Sequence, residues 1–267
     1  MKDLIITYAC DQPPRLGHRL QAKLLHSSAR RCGYRGDFLA VHNQKTSFYD
    51  HTDRQPNDLE IHYNPKLGRD RHRIQNTKMY LDTHVDFSKW ERIMFCDTEL
   101  LFLDCPAHFF NDSEEDISFA RERGSATNRA FNSCWTPEQM KTLRKKHVKG
   151  INSGQFVVRN NKANDVWQTW RNTLENEWYR NSKLQDQSPF NRMLYSNKFS
   201  SKELPSSYVK FPYQCKTRCS SYWDAKLLHY CGWSGSGKIR VMLQDYVGHF
   251  LVKNGGNAEL AGRLMRT

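Results

Sequence analysis

The chain has 267 residues, with 41 Lys and Arg against 28 Asp and Glu, 38% hydrophobic residues and 12% aromatics. That length is enough to bury a large core in one domain, and that composition excludes a disordered chain. No apolar run approaches the roughly 18 residues a membrane-spanning helix needs. The start, "MKDLIITYACD", meets Asp11 where a signal peptide would be cleaved. The sequence therefore reads as cytoplasmic, or as a piece of a longer anchored protein.

A formal net charge of +13 attracts polyanions: nucleic acid, an anionic membrane surface or phosphorylated ligands. The charge is not confined to one tail. It recurs in "RDRHR" (69 to 73), in "KTLRKKHVK" (141 to 149) and near the C-terminus. Segment 141 to 149 suits an anionic or membrane-borne acceptor and peripheral membrane contact, although a solvated helix face gives the same pattern. The eight cysteines are scattered without a dense framework, which favours reduced thiols over a disulfide scaffold.

In chain order, "LIITYA" (4 to 9) reads as a buried strand. Pro13 and Pro14 precede a helical pattern, "RLGHRLQAKLLHSSARRCG", that Gly33 stops. Strands follow in "DFLAVH" and "DLEIHY". This strand–helix–strand opening predicts an α/β domain with a largely parallel sheet. Residues 74 to 84 read as a helix with Ile74, Met79 and Leu81 inward. "RIMFC" (92 to 96) is a strand running into acidic residues, and "DISFA" and "GQFVV" are short strands. Residues 162 to 178 form a helix whose Val166, Trp167, Trp170, Leu174 and Trp178 share one stripe. The spacing makes those tryptophans core residues before it makes them sugar platforms. "DQSPFNRMLY" opens another helix, "YVKF" and "AKLLHY" are late strands, and residues 241 to 267 form an amphipathic, partly helical tail. No repeat or linker divides the chain, so a single domain over 1 to 267 is expected.

Four segments carry chemistry. In extended backbone, residues i and i+2 project to one side, so Asp97 and Glu99 of "FCDTELL" present two carboxylates to one point. Sites in α/β sheets gather at the carboxyl ends of strands, and hard oxygen ligands there suit Mg²⁺ or Mn²⁺. "KGINSGQFVVRNN" sets a small, polar, flexible turn before a strand, and its Gly154 allows close backbone approach to a ligand. "LQDQSPFN" carries Asp186, Gln187 and Asn191 near a helix start. "LLHYCGWSGSGK" ends a strand in His229 and continues into a Gly-rich loop with Lys238.

In that order the segments resemble glycosyltransferases of the GT-A fold, especially family 8, over about residues 1 to 240. The family pattern is a strand with D-x-D, then F-N-S-G, then D-Q-x-x-x-N, then H-[FY]-x-G and a loop lysine. Here Glu99 replaces the second Asp and Ile151 the Phe. Lys238 comes nine residues after His229 and is followed by Ile-Arg rather than Pro-Trp. The resemblance implies a mostly parallel, Rossmann-like sheet flanked by helices. It also implies a nucleotide diphosphate sugar as donor, UDP favoured and GDP second, with a glycan or glycoconjugate acceptor and no nucleic-acid partner.

By the same resemblance Asp97, Glu99 and His229 hold Mn²⁺ or Mg²⁺, and Thr98 lies within the D-x-D/E donor motif. Gly235, Gly237 and Lys238 meet the diphosphate. Arg73 and Lys78 put basic groups near the donor, and Asp11 meets the nucleoside. Asp186 and Gln187 face the sugar, Asn152 bridges donor and acceptor, and Gly154 lines the donor. Retention of stereochemistry is implied, while Asp186 is also the one evident base for an inverting reaction.

Two other classes fit parts of the sequence. "GWSGSGKI" matches a P-loop up to Lys238, but Ile239 stands where Ser or Thr would hold magnesium, and the loop follows a late strand. Cys215, Cys219, His229 and Cys231 offer a zinc set for a basic nucleic-acid-binding protein, with C-x3-C-x9-H-x-C spacing.

Overall fold

A computed structural model of the chain describes residues 2–11, 17–50, 54–63, 77–128, 135–175, 186–212, 223–231 and 235–253. In chain order the elements are β1 (Asp3–Tyr8), α1 (His18–Arg31), β2 (Asp37–His42), β3 (Asp58–His62), 3₁₀ turns at Lys78–Thr83 and Phe87–Lys89, and β4 (Arg92–Cys96). Then come β5 (Leu100–Phe102), α2 (Ala107–Asn111), β6 (Ile117–Ser125), α3 (Pro137–Lys145), β7 (Lys149–Arg159) and α4 (Asn160–Glu175). The last are α5 (Gln187–Tyr195), β8 (Ser201–Glu203), β9 (Val209–Lys210), β10 (Leu227–His229) and α6 (Gly235–Lys253).

Seven strands form a mostly parallel α/β sheet in the order β3-β2-β1-β4-β7-β6-β8, and a second sheet runs β5-β10-β9. The apolar runs of β1, β2 and β4 are buried almost throughout, as strands covered on both faces must be. The chain divides into two compact units. The first comprises Met1–Ile5, Asn64–Phe95 and Phe109–Leu204, and the second Ile6–Tyr63, Cys96–His108 and Pro205–Thr267.

In the second unit, α1 begins after Gly17, whose φ of 101° is the left-handed region that disfavours a side chain. Arg30 and Arg31 lie in its last turn, where they complement the helix dipole. Gly33, at φ 90°, then turns the chain away as predicted. Ser28 ties α1 to β5, its hydroxyl accepting from Phe102 N at 3.0 Å. Leu24 of α1, Leu101 of β5, Leu228 of β10 and Met242 of α6 share one buried cluster.

In the first unit, the predicted stripe on α4 is buried: Val166, Trp167, Trp170 and Leu174 all face inward. Trp178 and Ile74 lie outside the described residues. The indoles pack against Phe87, Phe156 and Phe190, so the core reading of the tryptophans holds.

Four local expectations change. The "INSG" segment is no flexible turn: β7 runs unbroken from Lys149 to Arg159. Asn191 imitates a neighbouring strand there, accepting from Ile151 N at 2.8 Å and donating to Ile151 O at 2.7 Å. Residues 78 to 83 form a 3₁₀ turn. Trp167 and Arg171 donate to the Lys78 and Met79 carbonyls and so replace helical partners. Asp97 to Glu99 make a turn between β4 and β5 instead of extended strand. The Gly-rich "loop" from Gly235 is the first turn of α6, which starts before the predicted tail. Glycine is a poor helix former, but Ile239 packs against Gly17 and Met242 enters the core, and that packing outweighs propensity. Residues 254 to 267 of the predicted tail lie outside the described residues; in the described part Asp245 is buried and Leu243 is 47% exposed, so it is only weakly two-faced. Among the described residues no helix is long and apolar enough to cross a membrane.

Candidate active site

The second unit gathers most of the predicted donor-binding residues. Backbone pairing fixes two of them. β5 and β10 run antiparallel with His229 opposite Leu100, and Tyr230 N donates to Glu99 O at 2.9 Å. This sets the side chains of Glu99 and His229 together, with His229 Nε2 3.6 Å from Glu99 Oε1. His229 is 1% exposed and Phe211 packs on its ring. From the first turn of α6, the Lys238 ammonium donates to Glu99 Oε2. Burial pushes the Glu99 carboxyl up, but the adjacent His229 imidazole and the Lys238 charge hold it below its ordinary range, so it is ionised.

Thr98 faces inward. Its hydroxyl donates to Gln21 Oε1 at 3.0 Å and lies 3.2 Å from His18 Nδ1. Because the Thr98 proton is committed to Gln21, Nδ1 of His18 is the donor and Nε2 keeps its lone pair. Burial lowers the His18 pKa, against the charges of Asp11, Glu99 and Asp97, so the ring is neutral at pH 7. Asp11 caps α1 from a distance, accepting from His18 N at 2.8 Å. It is zipped to Asn43 through Asp11 N to Oδ1 at 3.0 Å and Nδ2 to Asp11 O at 2.8 Å.

The donor set suits a hard divalent cation: carboxylates at Asp97 and Glu99 and an imidazole at His229. It is not preassembled. Among the described residues no three His, Cys, Asp or Glu side chains already converge as a metal cluster, and a cation of the protein's own, Lys238, sits on Glu99. Of the zinc set, Cys215 and Cys219 lie outside the described residues, and His229 faces Glu99. Gly235, Gly237 and Lys238 open a helix after β10 rather than following the first strand. An added Cβ at Gly237 would meet nothing within 4 Å, so no close backbone approach demands that glycine.

The first unit holds the remaining residues. Asp186 is the residue before α5 and is 9% exposed. Lys78 Nζ lies 2.8 Å from its Oδ2, and Ser153 Oγ donates to it at 2.9 Å. The Lys78 ammonium also sits over the rings of Phe95 and Trp170, at 5.4 and 5.8 Å from their centroids. Two indole N–H groups clamp the backbone of the pair: Trp167 donates to Lys78 O at 3.0 Å and Trp170 to Asp186 O at 2.7 Å. Burial raises the Asp186 pKa, but the Lys78 charge and the Lys78 and Ser153 hydrogen bonds bring it below the usual carboxylate value. Gln187 is half-buried, and its carbonyl accepts from Asn191 at 2.8 Å. Asn152 donates to Glu122, and its Oδ1 takes the Gly154 N–H at 2.7 Å, so that backbone donor is spent inside β7. Arg73 lies outside the described residues.

The structure thus joins Lys78 to Asp186, and Glu99 to both Lys238 and His229. His18, Gln21 and Glu122 have no signal in the sequence. Only a buried or half-buried position beside other polar groups distinguishes them, and that needs coordinates.

The sequence profile of the nucleotide-diphospho-sugar transferase family matches residues 91–253. Among solved structures, one similar fold is that of the WbbM bifunctional glycosyltransferase in its apo form. It shares 10% identity and a TM-score of 0.63, covering 100% of this chain and 52% of that one. The chain therefore spans about half the length of that protein, and the likeness is one of fold. A comparison with curated protein sequences finds no match.

Proposed function

The chain belongs to the nucleotide-diphospho-sugar transferase family, and we propose that it is a metal-dependent glycosyltransferase moving a sugar from a nucleotide diphosphate sugar, UDP-linked by preference, to a hydroxyl of a glycan or glycoconjugate, with retention. The observation that carries this reading is the Glu99–His229 pair, aligned by β5 and β10 within the profile-matched segment, with Lys238 on the same carboxylate.

Asp97, Glu99 and His229 would hold the divalent cation, Mn²⁺ or Mg²⁺, and a cation there would supply Lewis-acid charge to offset the negative charge of the leaving diphosphate. Lys238 adds a point charge beside the same phosphates, and the first-turn N–H groups of α6 from Gly235 to Lys238 supply further donors. Thr98 and His18 brace the turn that carries Asp97 and Glu99. Asp11 orients the start of α1 and, with Asn43, offers polar edges to the nucleoside. Asp186, held ionised by Lys78, accepts hydrogen bonds from sugar hydroxyls. Gln187 places its amide oxygen toward the anomeric carbon, where positive charge develops as the sugar–phosphate bond breaks. Asn152 orients the acceptor side from β7, and Gly154, with no side chain, lets the donor approach that strand closely.

The test is a thermal-shift screen of nucleotide sugars with Mn²⁺, followed by donor hydrolysis. A specific donor should stabilise the protein only with metal present, and Asp97→Asn should abolish turnover. Binding of no sugar nucleotide, or full turnover in Asp97→Asn, would sink the reading.

A further inference from the structure

The arms of the β6–β7 hairpin are joined through α3, and α3 presents one face of unpartnered cations. The segment from Pro137 to Lys149 carries Lys141, Arg144, Lys145, Lys146 and Lys149 against the single acid Glu138. All five basic side chains are exposed. Elsewhere the arginines at 30, 92, 121 and 171 each hold a carboxylate. None of the five is in an ion pair among the described residues.

Helical geometry turns this run into a surface. At about 100° per residue, Lys141, Arg144 and Lys145 fall within an arc of roughly 100°. Leu143, the one buried residue of the helix, points to the opposite side. Gln139 and Met140, half-buried, flank it. The outward face therefore has no apolar anchor. The helix dipole accounts for Arg144 and Lys145 in the last turn, but not for Lys141 or Lys149. A single phosphate would be gripped by converging, bidentate arginines, whereas four of these five cations are lysines splayed over a convex helix. Such a face matches a broad sheet of negative charge.

We infer that the outer face of α3 docks the protein on an anionic lipid surface, by charge alone and without insertion. β7 leads directly from Lys149 to Asn152, so a surface held there adjoins the strand that carries a candidate site residue. The inference concerns adsorption and does not rest on the glycosyltransferase reading.

The experiment is co-sedimentation of the whole chain with vesicles of phosphatidylglycerol mixed with phosphatidylcholine, against phosphatidylcholine alone. Wild type should bind only the anionic vesicles and leave them in high salt, because screening shortens the reach of these charges. The triple variant Lys141→Glu, Arg144→Glu, Lys145→Glu should partition at least about a hundredfold more weakly, from roughly fivefold per neutralised cation. Melting of the variant alongside wild type checks that it is folded. If it is not, Lys141→Gln with Lys145→Gln serves in its place, with about a twenty-fivefold loss expected on the same basis. The inference is overturned if wild type ignores anionic vesicles, if the charge variants bind them equally, or if binding survives high salt. Capture of RNA or an acidic polysaccharide without vesicle binding would overturn it as well.

Discussion

Replacing Lys78 with methionine keeps the length of the side chain and removes its charge from beside Asp186. The two side chains are 7% and 13% exposed and 2.8 Å apart. Methionine still fills the space between Phe95 and Trp170, so the loss is electrostatic rather than a cavity. A buried pair stripped of one partner costs about 3–5 kcal/mol, because the other charge is left in a medium that cannot solvate it. For a protein of this size each kcal/mol moves the midpoint by about 2–4 °C, so Lys78→Met should melt about 6–20 °C below wild type at neutral pH. The pH dependence has a definite sign. The folded pKa of Asp186 is depressed, so the stability it contributes is present above its unfolded value and fades as pH falls through its folded value. In Lys78→Met the opposing effect of burial is left, the carboxyl protonates more readily, and the gap to wild type should close on acidification. Adding Asp186→Asn to Lys78→Met removes the orphaned charge and should recover much of the loss. The assay is thermal melting of wild type and the two variants across acid and neutral pH. Equal melting of Lys78→Met and wild type, or no recovery in the double variant, would refute the argument that Lys78 is there to hold Asp186.

Two further outcomes follow from the second unit. Lys238→Met vacates the cation position on Glu99, so Mn²⁺ affinity measured by calorimetry should rise, while Glu99→Gln should lower it. A Lys238→Met protein that binds Mn²⁺ more weakly would mean the lysine is no competitor for that carboxylate. Gly17→Ala should destabilise by about 1–2 kcal/mol in urea titration, since the left-handed backbone at φ 101° penalises any Cβ. The new methyl would also crowd the flexible end of Ile239, only 2.5 Å away, and an Ala variant as stable as wild type would show that the turn relaxes freely.

Much of the architecture was legible because apolar runs and helical stripes are local signals. β1, β2 and β4 lie where continuous hydrophobic stretches required strands. The tryptophans of α4 were readable as core from their spacing, but not the further use of their N–H groups, which grip the Lys78 and Asp186 carbonyls. Where the reading failed, a distant partner overrode local preference. Asn152 to Gly154 look like turn residues, but β6 pairs along β7 on either side of them and Asn191, forty residues beyond Ile151, fixes the Ile151 backbone. Gly235 and Gly237 look like loop residues, and packing of Ile239 and Met242 makes them helix. Lys238 was foreseen as basic and near the site. Its attachment to Glu99, 139 residues away in sequence, has no local trace.

α6 touches α1 along most of its length: Ile239 against Gly17, Tyr246 OH 2.6 Å from Ser27 Oγ, and the Arg31 guanidinium over the rings of Tyr246 and Phe250. Helices bound together this way open as one cooperative unit in native-state exchange. A ligand that engages only the first turn of α6 should therefore slow amide exchange along α1, whose far end it never meets. The backbone of α1 becomes a remote reporter of occupancy at Lys238, readable by mass spectrometry without a turnover assay.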